Sequence, residues 1–177
     1  ASRPDCFGDD VIDMIDEISR IKPVWIELGL QTTKESTAEL INRGYELSAY
    51  DDTMSKLKKL DVHIIVHMII GLPGETVDDM VDTVRYIVKS GADGIKLQLL
   101  HILKGTVLEQ MYLNGDIVPL SFEDYADILC ACLKEIPEGM VVHRFTGDGP
   151  KSILTAPLWS ADKKNVLNRL NKIIAEL

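Results

Sequence analysis

The stretch 63-HIIVHMIIGLPGETVDDM-80 reads as a strand, a tight Gly-Leu-Pro-Gly turn and the start of a helix. Six of its first eight residues are bulky and apolar, and the other two are His63 and His67. A short apolar run bounded by Gly and Pro is the signature of a buried strand. Two imidazoles inside such a run need a reason to be there.

The neighbouring strands supply one. In 24-VWIELGLQT-32, Val24, Ile26, Leu28 and Leu30 point one way, and Trp25, Glu27, Gly29 and Gln31 point the other. In 94-GIKLQLLHI-102, Ile95, Leu97 and Leu99 oppose Lys96 and Gln98. His63 and His67 likewise oppose Ile64, Val66, Met68 and Ile70. Three strands therefore carry one wholly aliphatic face and one face bearing Glu27, Gln31, His63, His67, Lys96 and Gln98.

Helices alternate with these strands. Val11, Ile12, Ile15 and Ile18 recur at helical spacing after Asp9-Asp10, predicting a helix over about 9–21. A helical region over 34–60 is expected in two pieces broken near Gly44, the second of them, Tyr50 to Leu60, lysine-rich and amphipathic. Thr76 with Asp79 resembles a capping box, and Val77, Met80, Val81, Val84, Ile87 and Val88 form a stripe closed by Gly91. After a connection through 104-KGT-106 and 114-NGD-116, a helix is marked by Phe122, Tyr125, Leu129, Cys132, Leu133 and Ile136. A short strand, 141-VVHRF-145, leads into the turn 147-GDGP-150, and Ser160 is expected to cap a last helix from Ala161 to Glu176.

This alternation means βα units with parallel strands, either in an open doubly wound sheet or in part of a βα barrel. Strands buried under helices on both faces would be apolar throughout. A systematic difference between faces favours the barrel, with the polar side chains turned to its lumen. His67 then faces the lumen with Glu27 and Lys96, the alternative being a core histidine satisfied by one hydrogen bond. For His63, at the beginning of its strand, the core reading is preferred.

The chain has 177 residues, 46% hydrophobic and 27% charged, which suits a single domain over 1–177 without a low-complexity linker. Its apolar runs fall far short of the roughly 20 residues that cross a bilayer, and a soluble, cytoplasmic protein is expected. A formal charge of −9 disfavours a general nucleic-acid coat; Lys151, Lys163, Lys164, Arg169 and Lys172 read as a solvated helix face. Cys6, Cys130 and Cys132 form no zinc or disulfide pattern and read as free buried thiols. No nucleophile elbow, Walker loop, zinc helix or dinucleotide fingerprint is present.

Taken together, 27-ELGLQT-32, 71-GLPGET-76 and 97-LQLLHILKGT-106 resemble the second half of a radical S-adenosylmethionine (SAM) enzyme barrel. The nearest likeness is to bacterial Fe-S oxidoreductase-like proteins related to oxygen-independent coproporphyrinogen oxidase and the catalytic subunit of Elongator. There 3-RPDC-6, 143-HRFTGDGP-150 and 156-APLW-159 also look familiar. The resemblance implies a partial (βα) barrel with a helical extension over about 107–177. It also implies a full-length enzyme in which a [4Fe-4S] cluster on three cysteines reduces SAM to a 5′-deoxyadenosyl radical.

By the same resemblance Glu27 and Gln31 lie near polar groups of SAM, Gly71, Leu72 and Pro73 pass beside its adenine and ribose, and Leu100, His101 and Ile102 frame the adenine. Arg3 and Asp5 are polar neighbours at the mouth. Strand alternation adds His67, Lys96, Gln98 and Arg144 on the substrate side.

This sequence lacks the cluster's cysteine triplet, so the expectation is a piece that begins after the third strand, binds no metal or cluster and is inactive alone. An opened barrel edge predicts self-association. The substrate class stays open between a modified tRNA base and a tetrapyrrole or other small molecule. Two other readings are a non-catalytic binding or assembly module and a cluster-free lyase using Lys96 as an amine nucleophile; for the latter, the nearby Glu27 shifts the lysine pKa the wrong way.

Overall fold

The computed structural model describes residues 2–147 and 149–177. In chain order the elements are α1 (Asp9–Ser19), β1 (Trp25–Gln31), α2 (Glu35–Leu40), α3 (Leu47–Leu57), β2 (His63–Ile70), α4 (Val77–Ser90), β3 (Gly94–Leu99) and β4 (Ile102–Leu103). There follow α5 (Val107–Leu113), α6 (Phe122–Leu133), β5 (Val141–Arg144), β6 (Leu154–Ala156) and α7 (Lys163–Ile174).

The main sheet runs β1-β2-β3-β5, all parallel. Its strands follow chain order with no reversal. A doubly wound sheet changes direction at a switch point, whereas a barrel adds strands in sequence, so the order selects a partial barrel. Beyond β1, Ser2 continues the sheet: its N–H donates to Glu27 O at 2.8 Å and its carbonyl accepts from Gly29 N at 3.1 Å.

One sheet face carries the core. Leu28, Leu30, Val66, Met68, Ile70, Ile95 and Leu97 are completely buried. They pack with Ile15 of α1, Tyr50 and Leu57 of α3, Val84 and Ile87 of α4, Tyr125 and Leu129 of α6 and Leu170 of α7. Local chemistry sets the helix ends. Thr76 Oγ1 accepts from Asp79 N at 3.2 Å while Thr76 N donates to Asp79 Oδ2 at 2.8 Å, closing a capping box on α4. Gly91, with φ of 79°, takes the left-handed cap at its other end.

Several expectations need correction. The strand expected over 94–102 ends at Leu99, and Ile102–Leu103 turns away to pair antiparallel with Leu154–Ala156. The connection after 104-KGT-106 contains α5. The last helix is capped by Asp162, whose side chain accepts from Asn165 N, and not by Ser160. Of the three thiols only Cys132 is buried; Cys130 is half-buried and Cys6 exposed. His63 is also exposed, edge-on to the Trp25 ring at 5.9 Å between centroids, so it is no core histidine. The turn expected at 147–150 includes Asp148, outside the described residues. Among the described residues no helix is long and apolar enough to cross a membrane.

Candidate functional site

The polar sides of β1, β2 and β3 meet in one connected array. Register aligns Gly29 with His67 and His67 with Lys96, and a Cβ on Gly29 would come within 2.7 Å of Gln31 Nε2, so the bare glycine leaves room for the Gln31 amide. Lys96 Nζ donates to Glu27 Oε1 at 2.5 Å, and His67 Nε2 lies 2.8 Å from Glu27 Oε2. Gln98 Nε2 lies 3.0 Å from His67 Nδ1.

An amide nitrogen only donates, so Nδ1 accepts and the imidazole proton sits on Nε2, facing the carboxylate. His67 is therefore neutral with both ring nitrogens engaged. Burial pushes its pKa down despite the Glu27 hydrogen bond, as desolvation of a cationic form should. Glu27 is held below the usual carboxylate range, first by the Lys96 hydrogen bond and against the opposing effect of burial.

Toward the strand ends, β1 is interrupted by an irregularity between Gly29 and Gln31, and Gln31 takes φ of 69°. Its Oε1 is buried and has no hydrogen-bond partner among the described residues. The residue lines an open cleft of about 460 Å³ with Ser2, Arg3, Arg43, Tyr45 and His67, and with the apolar Ile41, Ile69 and Leu72.

One wall of the cleft is firmly built. Arg43, with 2% of its side chain exposed, donates to Thr32 O at 2.8 Å and to both Glu35 carboxylate oxygens at 3.0 and 3.2 Å. Its guanidinium sits 4.7 Å from the Tyr45 ring centre and that of Arg3 5.4 Å from it. The Tyr45 hydroxyl donates to Gly29 O.

A second cavity, of about 210 Å³, lies beyond Leu72 against the glycine turn. Gly71, Leu72, Pro73, Leu100 and Ile102 line it together with Leu120. Gly71 has φ of 90°, and a Cβ there would come within 2.9 Å of Leu120 Cδ1; only bare backbone fits. Glu75, at the end of the turn, accepts from the Thr32 hydroxyl, and burial raises its pKa.

The residues singled out from sequence thus divide between two spaces that share Leu72. Gln31, His67 and Arg3 border the first, with Glu27, Lys96 and Gln98 bonded on behind His67. Gly71, Leu72, Pro73, Leu100 and Ile102 border the second. His101 lies outside the second cavity's lining and is turned to Ser160, with Nε2 to Oγ 3.0 Å. Asp5 pairs with Arg3 at 2.6 Å, and Arg144 stands opposite Lys96 in the β3–β5 register. Sequence reasoning missed Arg43 and Tyr45. The signal was 43-RGY-45, in the turn between α2 and α3 on the connection that follows β1, because a barrel builds its sites from the connections after its strands. Among the described residues no group of three or more His, Cys, Asp or Glu could hold a metal ion.

Comparison with known proteins bears on the family and the fold. Residues 2–87 match the family model of the radical SAM superfamily, and residues 92–176 that of the radical SAM C-terminal domain. Protein YtqA of Bacillus subtilis is 43% identical over 172 residues, covering 97% of this chain and 53% of YtqA. Protein YhcC of Escherichia coli is 32% identical over 176 residues, covering 99% of this chain and 57% of YhcC. The chain spans about half the length of the curated relatives it matches. The solved structure of the archaeal Methanocaldococcus infernus Elp3 superimposes with a TM-score of 0.77 over 93% of this chain and 41% of that one. At 18% identity that likeness shows the fold.

Proposed function

Because the chain belongs to the radical SAM superfamily, we propose that its two neighbouring spaces form the SAM-binding and substrate-facing wall of an enzyme that abstracts hydrogen from an organic substrate. The observation that carries this reading is Gln31 Oε1, buried in the wall of the cleft without a donor. An orphaned carbonyl of that kind costs about 1–3 kcal/mol unless a ligand supplies the missing hydrogen bond. SAM offers suitable donors in its ammonium and ribose hydroxyl groups.

The residues fit the nucleoside part as well. The second cavity presents backbone and apolar surface, from Gly71 to Pro73 and at Leu100 and Ile102, to a flat ring. Glu27 stays ionised and, through Lys96 and His67, fixes the floor on which a substrate would rest. Ile41, Ile69 and Leu72 give the cleft apolar surface, which favours the desolvation that containing a reactive species requires once a ligand covers the opening. Bound SAM, given one electron, supplies in this superfamily the 5′-deoxyadenosyl radical that takes the hydrogen.

A [4Fe-4S] cluster does not fit the described residues. Three thiolates must converge on it, whereas Cys6 lies in the N-terminal turn and Cys130 and Cys132 on α6. The role proposed for this chain is therefore to bind and orient.

The test is equilibrium dialysis of the protein with SAM, alongside the variant Gln31→Leu. Leucine keeps the bulk and removes the orphaned oxygen. The free variant should be as stable as the parent or slightly more so, with SAM affinity lower by about tenfold, the value of one hydrogen bond. Equal affinity in the variant would remove Gln31 from the site. Absence of SAM binding together with absence of 5′-deoxyadenosine from the whole, anaerobically reconstituted and reduced protein would remove the reading.

A further inference from the structure

Two cations and one carboxylate share the middle of the lumen face. Lys96 is held by Glu27 through one of its three donors. Arg144 is its register partner on the next strand, where neighbouring strands lie about 5 Å apart.

The direction of Arg144 follows from its neighbours. Val142 and Phe145 both pack against the helix-side core, although residues three apart on a regular strand face opposite sides. The pairing slips between Ile95 and Lys96, inserting one extra residue in β5. Such a bulge lets two consecutive side chains share a face. His143 is on the lumen face, since a Cβ on Gly94 would lie 2.6 Å from its ring. Arg144 follows it there. The residue is half-buried, and its side chain makes no hydrogen bond or ion pair among the described residues.

The local charge therefore does not close. Glu27 offsets one cation, His67 is neutral, and one positive charge remains in a chain whose formal net charge is −9. A half-buried guanidinium beside an ammonium gains most from an oxygen anion, whose geometry matches its planar fork.

We propose that Lys96 and Arg144 together bind an oxyanion of the substrate, a carboxylate or a phosphate, within the lumen beneath the strand ends. This assigns a chemical class to the substrate and rests on the lumen being the substrate side. Glu27 and Gln98 are positioning residues here: the first aims Lys96, and the second fixes the His67 ring that also bonds Glu27.

The experiment is an NMR titration of the Arg144 Nε–H and Lys96 Nζ signals with two probes, inorganic phosphate and succinate. One probe or both should give saturable shifts at both side chains, and the tighter one identifies the source of the oxyanion. Arg144→Gln should weaken that probe by about 10- to 100-fold, the range for charge-assisted hydrogen bonds. Arg144→Lys, which keeps the charge, should retain most of the affinity and covers the case in which the glutamine variant fails to fold. Linear, non-saturating shifts, or an unchanged affinity in Arg144→Gln, would overturn the proposal. S-adenosylhomocysteine is titrated in parallel. If it displaces the probe competitively, the anion is the cofactor's own carboxylate and the substrate site is overturned. If it fails to bind at all while the probe saturates, the SAM reading fails and the oxyanion site stands.

Discussion

The two faces of the parallel sheet differ most clearly along β3. There Ile95, Leu97 and Leu99 lie 0%, 0% and 4% exposed in the helix-side core, while Lys96 and Gln98 between them join a hydrogen-bonded array with Glu27 and His67. One face uses shape and non-directional burial. The other uses a few directed bonds among groups that are expensive to leave unpaired. A shift of one residue in strand register would exchange them, so the apolar face fixes where the polar residues stand.

Breaking each face in turn tests that division. Leu97→Ala should cause the largest loss of stability, about 3 kcal/mol by urea denaturation, because it opens a cavity in a close-packed core. Glu27→Gln comes next, at about 2 kcal/mol, since it leaves Lys96 half-buried without its counter-charge while the amide keeps the shape. A loss from Glu27→Gln larger than from Leu97→Ala would mean that the lumen, and not the helix side, holds the fold together. Gly94→Ala should cost about 1.5 kcal/mol. Its Cβ would meet the His143 ring at 2.6 Å and Val141 O at 3.0 Å. His143 also sits edge-on to Trp25 at 5.3 Å, so this variant should shift the tryptophan fluorescence as well; an unchanged spectrum would argue against the contact.

The smallest effect is that of pH. Burial lowers the His67 pKa from 6.5, and the Lys96 hydrogen bond lowers that of Glu27 from 4.5. A group with a depressed folded pKa stabilises above its unfolded value, because below that value the unfolded chain takes the proton first. Stability should therefore fall as pH drops below 6.5 through His67, and again below 4.5 through Glu27. Glu75, raised by burial, acts in the opposite sense. The isolating measurement is the difference in urea midpoint between pH 7.5 and 5.5, which should be smaller in His67→Gln than in the parent.

How much of this was legible follows from range. Period-two alternation in 24–32, 63–70 and 94–99 requires no knowledge of partners, and it identified both faces and the array. The capping box at Thr76 and Asp79 is equally local. The β4–β6 pairing was not legible, because Ile102–Leu103 is too short for a period and meets Leu154–Ala156 about fifty residues later. Helix α5 spans only seven residues, and its stripe of Leu108, Met111 and Tyr112 packs on the small cluster of Ile102, Ile117 and Ala156, too short a repeat to stand out in the sequence. Ser160 and Asp162 are both good caps by type. Ser160 lies inside the short 3-10 turn Leu158–Ala161, whereas Asp162 immediately precedes Lys163 and its side chain accepts from Asn165 N, so position decides which of them caps α7. Arg43 was missed because a buried arginine becomes interpretable only with Glu35, Thr32 O and Tyr45 in place around it.

The most direct test is a map of where S-adenosylhomocysteine perturbs the amide spectrum of the protein. Shifts concentrated at Gln31, Gly71, Leu72 and Leu100, with Leu28, Val66 and Leu97 on the same strands nearly silent, are the expected result. Perturbation centred on the outer helices α4 and α6, or spread without saturation, would contradict a ligand site in the two adjoining spaces at the strand ends.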